Sequence, residues 1–131
     1  MVHMFLNGQA MEGGPFHKYL NGAPLVARTT TAPGYRLRSF GDVFPGMWPD
    51  PSVSSTIAGE VYELPEAVLR DELLPNEPPE LELGLIRLGD GSAAFSMLLR
   101  PEHREHGGTR EITSFGGWRA YLQAIESADP G

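Results

Sequence analysis

Glu80 and Glu82 stand two apart in Glu80-Leu81-Glu82-Leu83-Gly84-Leu85, a spacing that could do chemistry. Side chains alternate across a strand, so both carboxylates share one face and the leucines take the other. On a cavity wall such a pair repels and loses solvent, which raises one pKa and yields an acid/base suited to taking a proton from an amine. On an outer face the same pair is a solvated surface, as most charged residues are. Both glutamates are candidate catalytic residues. Glu60, two before Tyr62, has the same two readings, pocket group or edge charge, whereas Glu77 reads as a loop charge.

Asn7-Gly8-Gln9 is a candidate binding loop. Glycine lets the backbone turn its N–H groups toward an anion, and the Asn7 and Gln9 side-chain amides add neutral hydrogen-bonding groups. The simpler alternative is a turn that ends a strand. His17 follows closely enough to reach the mouth of this loop. Tyr35 and Arg36 are secondary pocket candidates, Arg36 either pairing with a substrate carboxylate or lying solvated on a strand. The spacing around His3, His17, His103 and His106 makes no metal-ligand pattern, and there is no cysteine. No metal and no cofactor is expected. Gly116-Gly117 is too short for a phosphate loop and reads as small residues that let Trp118 approach a sheet.

The elements that must position these groups follow from periodicity and turn residues. A first strand is expected at His3–Asn7, ended by Gly8, and a helical turn at Phe16–Leu20. Leu25–Thr31 and Tyr35–Phe40 flank Ala32-Pro33-Gly34, which suggests a hairpin. The segment from Gly41 to Val53 holds three prolines and reads as an ordered loop with Phe44, Met47 and Trp48 turned inward. Thr56–Leu64 is expected as the central strand, with Ile57, Gly59 and Val61 alternating against Ala58, Glu60 and Tyr62. Pro65 suits the first turn of a helix over Glu66–Leu74, and Pro75 stops it. Leu81–Leu88 and Ala93–Leu99 around Gly89-Asp90-Gly91 carry a strong hairpin signal. From Ser114 onward, Trp118, Tyr121, Leu122 and Ile125 fall at helical spacing and predict an amphipathic closing helix. The pattern implies an α+β fold: a small, twisted, mostly antiparallel β-sheet or partial barrel with flanking helices.

A chain of 131 residues with 40% hydrophobic content is expected to build one domain around one core. The absence of cysteine and of a long apolar run fits a cytoplasmic protein that does not enter a membrane. The net charge of −7, with ten scattered Lys and Arg, argues against nucleic acid and anionic lipid as partners.

The string Glu111-Ile112-Thr113-Ser114-Phe115-Gly116-Gly117-Trp118-Arg119-Ala120-Tyr121-Leu122 closely resembles the closing motif of allophanate hydrolase C-terminal domains. Earlier strings fall in the same order: Gly8 and Gly13 around a loop, Thr31-Ala32-Pro33-Gly34-Tyr35-Arg36-Leu37, Gly59-Glu60-Val61-Tyr62, and Leu83-Gly84 before Asp90-Gly91. The resemblance covers nearly the whole chain and implies a gamma-glutamylcyclotransferase-like, AIG2-like fold. In that group a loop after the first strand holds the substrate carboxylate, and Asn7-Gly8-Gln9-Ala10 occupies its position. A later glutamate moves protons there, and Glu77, Glu80 and Glu82 all lie near its expected place.

The resemblance also implies differences. Where the hydrolase domains read Gly-Ala-His-Leu, Ala10 stands in place of the histidine, so a decarboxylation assisted by that histidine is not expected. In those hydrolases the domain follows an amidase, and this chain resembles the second domain standing alone. Two roles follow: an enzyme or binding protein for a small carboxylate or amide, or a non-catalytic module that assembles with a separate amidase or as a homo-oligomer.

Overall fold

The computed structural model describes residues 1–105 and 109–128. In chain order its strands are β1 (Val2–Leu6), β2 (Leu25–Thr30), β3 (Tyr35–Phe40), β4 (Phe44–Pro49), β5 (Ala58–Leu64), β6 (Leu81–Arg87), β7 (Ala93–Leu99) and β8 (Arg110–Glu111). A short helix, α1 (Glu66–Val68), continues into further helical turns through Asn76, and α2 (Trp118–Ala128) closes the described chain.

Two sheets result, a five-stranded one in the order β2-β5-β1-β7-β6 and a three-stranded one in the order β4-β3-β8. The pairing is antiparallel except where β1 lies parallel to β7. The outer strands of the large sheet approach each other at an isolated bridge between Thr31 and Leu88, so the sheet curls without closing into a barrel. Among the described residues, no helix is long and apolar enough to cross a membrane.

Met4, Phe5 and Leu6 are consecutive and all buried, the mark of a strand covered on both faces. The same holds for β5, where Val61 and Tyr62 are both buried and Glu60 is 1% exposed. The alternation expected there is thus not an inside-outside alternation. The β6–β7 hairpin forms as its Asp-Gly turn predicts, with Gly91 at positive φ and Leu88 N–H donating to Ser92 O at 2.8 Å. In α2, Trp118 and Tyr121 are buried and Leu122 and Ile125 are half-buried against the core, as their spacing predicts.

Two expectations are corrected. The strands flanking Ala32-Pro33-Gly34 do not pair: β2 joins β5 in the large sheet and β3 joins β4 in the small one. Gly34, at φ 106°, carries the chain from one sheet to the other, so a turn-like sequence serves here as a crossing. The stretch read as a loop after Gly41 contains β4, in register with β3 from Phe40↔Phe44 to Tyr35↔Pro49. Proline lacks a ladder donor and is confined to sheet edges; β4 is an edge strand and tolerates Pro45 and Pro49. Its inward side chains do pack as expected, Met47 fully buried and Trp48 nearly so.

Candidate functional site

The loop that follows β1 folds back on itself. Gly8 O accepts from Met11 N–H at 3.1 Å, Gln9 O from Phe16 N–H at 3.0 Å, and Ala10 O from Nδ1 of His17 at 3.0 Å. The three carbonyls are thereby engaged within the loop. The N–H groups of Gly8, Gln9 and Ala10 have no protein acceptor among the described residues. Consecutive amides of this kind form a neutral, donor-rich cradle.

These residues line a cavity of about 30 Å³ together with Phe5, Leu6, Asn7, Phe44, Pro45, Glu77, Pro78, Ser96 and Met97. Space of that size holds about two waters, or the head group of a larger molecule. The small sheet supplies one wall through Phe44 and Pro45, and Pro45 sits so close to Gly8 that a Cβ there would lie 2.7 Å from its Cδ. Glu77, in the turn between the helical segment and β6, also lines the cavity. Burial, with no compensating partner, pushes its carboxyl up to about 7. A group with that pKa is shared between acid and base near neutrality, as proton transfer requires.

Glu60 lies behind the loop, outside this cavity. Its Oε1 accepts from Glu12 N–H at 2.8 Å and from the Tyr62 hydroxyl at 2.9 Å, and its Oε2 from Nη1 of Arg119 at 3.0 Å, with Arg28 Nε at 3.4 Å. Burial alone would raise this carboxyl, but the Glu12 amide, Arg119 and Tyr62 outweigh it and hold the group below the usual range. Tyr62 is correspondingly pushed up to about 12, by burial and by its bond to Glu60. The cluster fastens the first loop to β5 and α2, so Glu60 works as an anchor that stays ionised. The His17 ring packs edge-on against Tyr62 at 5.5 Å, also behind the loop.

Asn7, Gly8, Gln9 and Ala10 are thus brought together on the cavity wall. Glu80 and Glu82 do not line it: Glu82 pairs with Arg100 at 3.1 Å, both side chains about 40% exposed, and the Glu80 carbonyl accepts from Arg100 N–H. Tyr35 is buried elsewhere, its hydroxyl accepting from Arg87 N–H, and Arg36 is held by Asp50 at 2.6 Å and Glu111 at 2.8 Å. The Gly116-Gly117 pair serves packing: Gly116 O accepts from Ala58 N–H, and a Cβ on Gly117 would lie 3.2 Å from that of Ala58. Among the described residues, no group of three or more His, Asp or Glu could hold a metal ion, and His106 lies outside them.

Ser96 is a cavity residue that sequence reasoning passed over, and Glu77, which the resemblance put near the place of the proton-moving glutamate together with Glu80 and Glu82, read from its own setting as a loop charge. A loop carboxylate carries no periodicity to betray its burial. The available signal was its setting, Pro75-Asn76-Glu77-Pro78-Pro79, where prolines stiffen the backbone on both sides.

Comparison with known proteins agrees with this architecture. A uropathogenic E. coli-specific protein of known crystal structure is 33% identical, with a TM-score of 0.86 over 93% of this chain and 95% of that one. The urea amidolyase of Saccharomyces cerevisiae is 26% identical over 135 residues, and the match spans 98% of this chain but 7% of that protein. An AIG2-like protein from mouse, at 21% identity and a TM-score of 0.60 over 78% of this chain, shares the fold. Residues 2–123 match the allophanate hydrolase C-terminal domain family from end to end of the architecture described above, and the chain belongs to that family.

Proposed function

We propose that this chain binds a small amide- or carboxylate-containing metabolite in the cavity beside Gly8–Ala10, with Glu77 as the group that gives or takes the proton. The observation that carries this reading is that one carboxyl group, raised to about 7, lines the same cavity as three residues whose backbone amides have no protein acceptor among the described residues. A carbonyl oxygen of the ligand is polarised by such amides, while a half-protonated Glu77 serves the adjacent nitrogen or oxygen. Glu80 and Glu82 lie outside the cavity lining, Glu82 paired with Arg100, and are less suited to the role than Glu77. The test is carbon-detected NMR of the glutamate side chains: Glu77 titrating near 7 supports the reading, and Glu77 titrating in the ordinary range near 4.3 removes it. Turnover of gamma-glutamyl and ureido compounds, lost in Glu77→Gln, would establish catalysis.

A second reading, a module that docks on a separate amidase or on a second copy, draws on exposed apolar residues. Leu83 and Leu85 of the edge strand β6 are 38% and 65% exposed, and Met1 and Phe95 share a shallow groove with Leu85. Sedimentation of the wild type and of Leu85→Glu, alone and mixed with an amidase, decides it; a monomer that binds no amidase counts against this role.

A further inference from the structure

We infer that the cavity selects the uncharged end of a primary amide or urea, its carbonyl oxygen toward the Gly8–Ala10 amides and its NH2 toward Glu77, over a carboxylate of the same shape. This rests on the cavity being the ligand site, and adds to it which head group enters.

None of the twelve lining residues is Lys, Arg or His, so no cationic side chain of the wall neutralises an anion, and the loop amides offer partial charges alone. Arginines of neighbouring elements are committed elsewhere: Arg28 and Arg119 to Glu12 and Glu60 behind the loop, and Arg100 to Glu82. Glu77 is the one ionisable side chain of the wall, and once ionised it repels a carboxylate and accepts from an N–H. Burial of that carboxyl raises its pKa, so both forms are present near neutrality.

The hydrogen-bonding capacity left over on the remaining side chains points the same way. Ser96, 1% exposed, spends its hydroxyl proton on Phe5 O at 2.9 Å, which leaves its lone pairs as the free capacity. Asn7 directs Nδ2 at the sulfur of Met47, 3.3 Å away, so its Oδ1 remains an acceptor. The Gln9 side-chain amide offers donors and an acceptor and favours neither kind of ligand, so the selection falls to Ser96, Asn7 and Glu77, which call for N–H donors, and to the loop amides, which call for an acceptor. A carboxylate brings acceptors alone and an ammonium donors alone; a primary amide brings both. The volume of about 30 Å³ admits such a head group with its substituent outside.

The experiment uses the full chain labelled with 15N and three isosteric probes, propionamide, propionate and propylammonium, each titrated at pH 8 and pH 5. Expected are saturable shifts of the Gly8, Gln9, Ala10 and Ser96 amides with propionamide, at a Kd at least about tenfold lower than for propionate at pH 8. At pH 5, where Glu77 is protonated and can donate, the gap narrows, and Glu77→Gln, checked for an intact spectrum, narrows it at pH 8 as well. Propionate or propylammonium binding as tightly as propionamide at pH 8 overturns the inference. Glu77 titrating near 7 with no shift from propionamide overturns it too, while leaving the proton-transfer reading of Glu77 in place; Glu77 titrating in the ordinary range removes both.

Discussion

Glu60 and Arg119 are 59 positions apart in the chain and 3.0 Å apart in the fold, and their contact ties the last helix to β5, the neighbour of the central strand β1. Arg119 also donates from Nη2 to the carbonyl of Glu12 at 2.5 Å, while the amide of Glu12 donates to Glu60. One ion pair thereby fixes where the first loop runs. The same loop lines the cavity through Gly8, Gln9 and Ala10, so anchor and candidate site share one segment.

Glu60→Gln is expected to cost about 2–4 kcal/mol, at the lower end of what breaking a buried pair costs because Arg119 is 45% exposed and can rehydrate. Each carboxylate oxygen faces two donors, so either orientation of a glutamine sets its NH2 against donors. Tyr62→Phe leaves the carboxylate its other partners and should cost about 1 kcal/mol. Urea denaturation of the two variants at pH 7 checks the ranking; equal losses would show that the charge cluster holds nothing.

Glu77 and Glu60 bias stability in opposite senses with pH. Glu77 is raised from about 4.5 to about 7 in the fold, so the folded chain binds more protons than the unfolded one across that window and stability falls as pH rises through it. Above the window the accumulated cost is of order 1–3 kcal/mol, and Glu77→Gln should recover it. Glu60 is lowered, so its contribution is present above the ordinary carboxylate pKa and is lost as pH falls through its folded value. Denaturation at pH 3.5, 5 and 8 should show the wild type weakening on both sides of pH 5 and Glu77→Gln weakening on the acid side alone.

Much of this was legible in the sequence, and the failures have physical causes. The β6–β7 hairpin and α2 were written locally, in a turn dipeptide and a helical period, and both formed as read. The pairing of β2 and β3 was not, because Pro33-Gly34 is compatible with a reversal and with a crossing, and the choice rests on distant partners in β5 and β4. The loop at Asn7–Ala10 could be located from the glycine that ends β1 and from the resemblance. Glu77 could not be singled out from Glu80 and Glu82, since its surroundings come from β1, β4 and β7, which no local spacing connects.

Asp42 takes a left-handed backbone at φ 59° in the β3–β4 turn and accepts from the Tyr121 hydroxyl at 2.5 Å and from Ser39 at 2.8 Å. Those bonds, Tyr121 first, hold its carboxyl below the usual range and push the tyrosine up. Asp42→Ala loses both bonds and places a Cβ-bearing residue without local compensation at positive φ, for an expected loss of about 2–4 kcal/mol. Asp42→Asn, which tolerates this backbone and keeps an acceptor, should lose about half as much. Thermal melts of the two variants check it, and equal losses would place the effect in charge rather than in backbone and bonding.

Gly59 and Gly8 test how rigidly the two walls of the loop are set. A Cβ on Gly59 would lie 2.4 Å from the carbonyl oxygen of Leu6 and 2.5 Å from the Phe5 ring, both in the buried half of β1, which pairs with β5. Neither neighbour can yield without parting the two central strands, so Gly59→Ala should cost about 3 kcal/mol or more, at the upper end of overpacking. A Cβ on Gly8 would meet the Pro45 ring instead, at 2.7 and 2.8 Å, and Pro45 is a buried side chain of β4, which is hydrogen-bonded to a neighbour on one side alone and can shift more readily than β1. Gly8→Ala should therefore fold with a loss of about 1–2 kcal/mol, and its strain should appear as amide shifts at Phe44, Gly46 and Met47 in a 15N spectrum. If Gly8→Ala leaves those amides unmoved, Pro45 does not wall the cavity as described; if Gly59→Ala is as mild as Gly8→Ala, the β1–β5 contact is looser than its burial implies.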